Sequence, residues 1–84
     1  MTFVHTYILI VWEKAAKVAH MEPNKYRKDL AGAIMAYEEY GRESTFGWEV
    51  DYILPQSKGG KADLINLRPL HWQNKKAKNE DYPN

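Results

Sequence analysis

The sequence predicts a small α+β domain, and three features of its C-terminal half carry that prediction. Trp48, Val50, Tyr52 and Leu54 alternate with Glu49, Asp51 and Ile53, the two-residue period of a strand, which ends at Pro55. Lys58-Gly59-Gly60-Lys61 follows as a turn, because glycine takes positive φ without steric cost. Residues 72–80 then hold good helix formers and no breaker, which predicts a terminal helix frayed after Asp81. Between turn and helix lies a second apolar segment, Leu64, Ile65, Leu67 and Leu70, with Asn66 inside it. Pro69 has no N–H to donate and limits that segment to an irregular or edge strand. The order is strand, glycine loop, strand, helix: a hairpin followed by a helix.

The N-terminal half is expected to supply a short helix and further β segments. Residues 2–11 are rich in β-branched and aromatic side chains and read as a strand. Trp12, Ala15, Ala16 and Ala19 fall at helical spacing with Lys14 and Lys17 outward, so residues 12–19 read as a short helix. Pro23 and Asn24 break that helix or start the next element. Residues 26–29 are polar and basic, residues 31–37 fit a strand or a short helix equally, and residues 41–47 have the character of a turn.

Eighty-four residues make one domain, spanning 1–84. A chain of this size buries only about 60–65% of the surface its unfolded form exposes. Two Phe, six Tyr and three Trp must therefore supply much of the core, with Trp12, Trp48 and Trp72 as core candidates. The absence of Cys excludes disulfides and thiolate metal sites. The apolar run of residues 3–12 is interrupted by His5 and is too short to span a bilayer. It also lacks a basic leader and a small-residue cleavage site, so a cytoplasmic protein without a membrane role is expected.

The net charge of +1 hides an asymmetry. Residues 1–56 carry six basic and eight acidic side chains. Residues 57–84 carry Lys58, Lys61, Arg68, Lys75, Lys76 and Lys78 against Asp63, Glu80 and Asp81. A basic tail of this kind suits either a solvated face or contact with phosphates.

Chemistry is expected where the hairpin and helix meet. Asp51 lies near the end of the first strand, and Asn74 and Lys78, four apart, share one face of the last helix. A helix packed across the hairpin would bring a carboxylate oxygen and an amide oxygen together. Two hard oxygen ligands with open positions suit Mg²⁺ or Mn²⁺. Asn66 on the second segment can orient a neighbour through its amide.

Those residues carry a resemblance. Trp48-Glu49-Val50-Asp51-Tyr52-Ile53-Leu54-Pro55, Ser57-Lys58-Gly59-Gly60, Asp63-Leu64, Asn66-Leu67, Pro69-Leu70-His71-Trp72, Asn74 and Lys78 resemble the HNH endonuclease family over about residues 46–80. Trp12-Glu13-Lys14, Tyr26-Arg27-Lys28-Asp29, Gly32 and Tyr40-Gly41 look like a bacterial subgroup of it, without the paired CxxC zinc motifs of many relatives.

The resemblance implies a ββα-metal fold for the C-terminal half and metal-dependent hydrolysis of DNA. It assigns metal binding to Asp51 and Asn74, orientation of the catalytic residue to Asn66, and an accessory acidic role to Glu49. Lys78 falls on a further His or Lys position of the family. Lys58, Lys61, Lys75, Lys76 and Lys78 are the expected nucleic-acid contacts.

In the family a His follows the strand's metal ligand and activates the attacking water; here that position is Tyr52. Phenols titrate near pH 10, so a phenol is no general base at neutrality. Losing such a base typically costs about 10²–10⁴-fold. A weakly active or inactive endonuclease domain is therefore expected, with two alternatives: a catalytically dead nucleic-acid-binding module, or a small protein-interaction domain on the same scaffold. His71 beside Trp72 reads as a packed, hydrogen-bonded histidine rather than a substitute base, and His5 and His20 match nothing.

Overall fold

Aromatic rings gather at one centre in the computed structural model, which describes residues 3–81. Trp12 and Trp48 are both buried, their ring centroids 5.1 Å apart. Tyr37 meets Trp12, and Tyr40 meets Trp48, edge to face. Val11, Ala15, Met35, Val50 and Leu67 complete this core. Few side chains are fully buried, as a chain this short requires.

The chain enters through a helix, α1 (His5–Trp12), where a strand was expected over residues 2–11; Thr2 lies outside the described residues. The helix turns Tyr7, Ile8, Val11 and Trp12 toward the core, an i, i+1, i+4, i+5 set, while Thr6, Leu9 and Ile10 face out. That stripe is present in the sequence, but apolar residues on the outer face hide it. Packing of the inner stripe overrides the strand propensity of its β-branched residues.

The helix expected over residues 12–19 is also corrected: α1 ends at Trp12, and Ala16–Lys17 is a strand, β1. Lys14 and Ala15 close i→i−3 turns onto Val11 and Trp12. The buried Arg27 guanidinium then donates to the carbonyls of Glu13 and Ala15 and, through Nε, to that of Pro23. A cation on the carbonyls that follow a helix end stabilises the break there. Arg27 sits in β2 (Tyr26–Lys28), which pairs antiparallel with β1 and with β3 (Ile34–Ala36). The strand alternative for residues 31–37 thus holds over Ile34–Ala36, and a 3-10 turn follows at Tyr37–Glu39.

The C-terminal half has the expected order. Strands β4 (Trp48–Tyr52) and β5 (Leu67–His71) pair antiparallel, from Trp48 opposite His71 to Tyr52 opposite Leu67. Helix α2 (Trp72–Asp81) follows β5 directly and packs on both strands. The alternation read through Leu54 stops at Tyr52; Leu54 is half exposed. Leu64–Asn66 is a 3-10 turn, so only the later part of the second apolar segment is strand. Pro69 is tolerated because a two-stranded sheet has only edges. The fraying expected after Asp81 lies outside the described residues. No helix among the described residues is long and apolar enough to cross a membrane.

The link between β4 and β5 is pinned by Asn66. Its Oδ1 accepts from the Leu54 N–H at 2.8 Å, and its Nδ2 donates to the carbonyls of Leu54 and Lys61. Gly59 adopts φ 94°, and a Cβ on Gly60 would lie 1.7 Å from the Leu54 carbonyl oxygen. Gly60→Ala must therefore displace main chain that Asn66 holds. It is expected to cost about 2 kcal/mol of stability, read as a lowered urea midpoint; an unchanged midpoint would show that the loop reshapes freely.

Candidate functional site

A cleft of about 480 Å³ opens beside β4. Val50, Asp51 and Tyr52 form its floor, Lys75, Lys78 and Asn79 enter from α2, and Gln56 and Ser57 stand at the rim. The strand–helix junction sets this geometry. Because α2 leaves β5 at the end where Trp48 lies opposite, the helix runs back along β4 and places one lysine per turn against it. Lys75 Nζ donates to the Val50 carbonyl at 3.2 Å and pairs with Glu49 at 3.6 Å. Lys78, one turn on, reaches Asp51.

Asp51 is the centre of this arrangement. Its side chain is 3% exposed, and its Oδ2 accepts from Arg68 Nε at 2.8 Å and from Lys78 Nζ at 2.9 Å. Arg68 comes from β5, directly opposite Asp51 in the ladder. The Lys78 ammonium also donates to the carbonyls of Tyr52 and, at 3.3 Å, of Ile53.

Asn74 does not join Asp51 through this network. Its Nδ2 donates at 2.8 Å to Oδ2 of Asp29, a buried carboxylate on the segment after β2. The same Oδ2 accepts from the His71 N–H at 3.0 Å, while Oδ1 accepts from the N–H groups of Ala31 and Ala33. Burial raises the Asp29 pKa, but the bonds from Asn74, His71, Ala33 and Ala31 outweigh it and hold the carboxyl below its ordinary 3.8. Asp29 thus fastens the β2–β3 turn to the start of α2. Sequence reading did not single it out as a site residue, and a lone Asp in a polar stretch gives no signal for such a role.

The remaining expected residues fall as follows. Tyr52 lines the cleft, its ring centroid 6.1 Å from that of Phe3. Glu49 faces Lys75, and after burial its charge is the second influence holding the Tyr40 hydroxyl above the ordinary phenol value. Asn66 holds the loop backbone. Lys58, Lys61 and Lys76 are exposed. His71 is buried, with Nε2 2.8 Å from the Thr45 carbonyl and Nδ1 accepting from the Gln73 N–H. Those partners require the neutral tautomer with its proton on Nε2 and leave no nitrogen for a substrate proton.

These residues do not fit a divalent ion on Asp51. Its Oδ2 already carries an ammonium and a guanidinium. A doubly charged ion added there would be repelled by both. The amide nitrogen of Asn74, the other expected ligand residue, is bonded to Asp29. Among the described residues no group of three or more His, Cys, Asp or Glu side chains is disposed to hold a metal. Comparisons with family models, with curated proteins and with solved structures found no match to this chain.

Proposed function

We propose that this chain is an HNH-like module that holds DNA by its phosphate backbone and cuts it weakly or not at all. The observation that carries the reading is the cleft beside β4, where α2 supplies Lys75 and Lys78 while Tyr52 stands at the position expected of a base. Lys58, Lys61 and Lys76, all exposed, extend the basic surface around it. The β4–loop–β5–α2 order and its glycine loop support a ββα-type assignment. A cytoplasmic setting belongs to the same proposal.

The test is fluorescence anisotropy on a labelled duplex across a salt series. Neutralising about three phosphates gives a salt slope near −2.7, so a fourfold rise in salt weakens binding about 40-fold. Plasmid nicking in Mg²⁺ or Mn²⁺ is expected to stay near background. Tyr52→His is expected to leave it there, because the imidazole it adds does not release Asp51 from Lys78 and Arg68. A gain of about 10²–10⁴-fold in that variant, lost again when Asp51→Asn is added to a protein still folded by circular dichroism, would instead identify an intact nuclease lacking only its base.

A second reading has its own observation. Ile53, Leu54 and Ile65 are exposed, Ile65 at 88%, and Asn66 brings their two segments together. An apolar patch at the hairpin end suits a protein partner. Salt-independent or absent DNA binding would favour it.

A further inference from the structure

We infer that the pocket between the end of α1 and the turn ahead of β2 is a site for a small amphipathic α-amino acid, its carboxylate on Arg27 and its ammonium on Glu13. The pocket has a volume of about 260 Å³ and shares no lining residue with the cleft beside β4. Leu9, Trp12 and Tyr37 supply its apolar surface, and Glu13, Asn24 and Arg27 its polar one. His5 completes the lining, its ring edge-on to that of Tyr37.

Arg27 is the group that calls for a ligand. It is 9% exposed, and a cation buried to that degree is ordinarily paired with an acid. Among the described residues Arg27 makes no ion pair. Its Nε donates to the Pro23 carbonyl and its Nη1 to those of Glu13 and Ala15, so Nη2 keeps two N–H groups without a protein acceptor among the described residues. No sealed side-chain nitrogen or oxygen of those residues lacks a partner, so Nη2 is open, and the pocket that Arg27 lines is where a ligand can meet it. Carbonyl dipoles at the end of α1 offset part of the buried charge. A carboxylate offsets the rest. Both Nη1 N–H groups are spent, which closes the usual two-pronged geometry. One carboxylate oxygen therefore falls to Nη2, and Asn24 has an amide to offer the other.

Glu13 makes the ligand a zwitterion rather than a plain anion. It lines the same pocket, is exposed, and pairs neither with Arg27 nor with any other described cation. A carboxylic acid alone brings a second negative charge toward Glu13, and an amine alone brings a second positive charge toward Arg27. An α-amino acid carries one charge of each sign on a single carbon and leaves its side chain for Leu9 and Tyr37. The volume lies just under the ~300 Å³ at which drug-sized pockets begin, which suits so small a molecule.

The test is a titration of the full chain followed by two-dimensional NMR of the backbone amides and the Arg27 side chain. The probes are L-phenylalanine, hydrocinnamate, which lacks the ammonium, and phenethylamine, which lacks the carboxylate, each taken to about 10 mM. L-phenylalanine is expected to shift the signals of Asn24, Arg27 and Tyr37 and to bind about tenfold or more tighter than either analogue, the size of one charged hydrogen bond. Glu13→Gln, at an exposed position, is expected to bring L-phenylalanine and hydrocinnamate within about twofold of each other. No shift at those three residues with L-phenylalanine overturns the inference. An analogue that binds as tightly as L-phenylalanine overturns it as well, leaving an apolar pocket that does not select both charges. So does a Glu13→Gln protein that keeps the full preference, because the ammonium then has another partner.

Discussion

Asp51→Ala is expected to lose about 3–5 kcal/mol of folding stability, measured by urea unfolding. The carboxylate is nearly inaccessible and is the common partner of Lys78 and Arg68. Removing it takes away the carboxylate that both cations share and sets their charges against each other beside β4. A chain of 84 residues has about 4–13 kcal/mol in total at the usual per-residue range, so the variant sits near the edge of folding. Combining Asp51→Ala with Lys78→Met should recover about 1–3 kcal/mol of the loss, because the second change withdraws one of the two like charges. A single variant within about 1 kcal/mol of the parent would show that the cluster contributes little beyond a surface ion pair.

The same residues mark how far the sequence could be read. The hairpin and its helix were legible because three independent signals agreed: the period of Trp48, Val50 and Tyr52, the Gly59-Gly60 turn, and an unbroken run of helix formers after His71. The N-terminal half was misread for a specific reason. Leu9 and Ile10 put apolar side chains on the outer face of α1 and erased the contrast that reveals a helix. The alanines after Trp12 then mimicked a helical stripe that Arg27 terminates from fifteen residues along the chain, through the Glu13 and Ala15 carbonyls.

In the site, Asp51 was placed correctly on a strand beside the last helix, but its partners were not legible. Asn74 and Lys78 share one helix face, and spacing alone gives no reason to prefer either for Asp51. The choice is made by Asp29, 45 positions from Asn74, which takes the amide and leaves the longer lysine to reach Asp51. Arg68 required the β4–β5 register, a tertiary fact, before it could be paired with Asp51.

Asp29 is accordingly the second substitution with a large expected effect, and it carries a pH signature. Asp29→Ala strands two backbone N–H groups at the β2–β3 turn, that of His71, and the Asn74 amide. A loss of about 3–4 kcal/mol at neutral pH is expected, since buried donors left unpaired cost about 1–3 kcal/mol each and some of these regain water. Asp29→Asn keeps one oxygen and is expected to lose about 2 kcal/mol: its amide nitrogen can replace only an acceptor that two donors were using. The folded carboxyl titrates below its ordinary 3.8, so the unfolded state takes up the proton first as pH falls. The stabilisation is complete above that ordinary value and is lost as pH drops through the folded one. Urea midpoints of parent and Asp29→Asn, measured from neutrality down into acid, should therefore converge below about pH 4. A gap that stays constant with pH would mean that the charge on Asp29 contributes nothing and only its shape holds α2 to the β2–β3 turn.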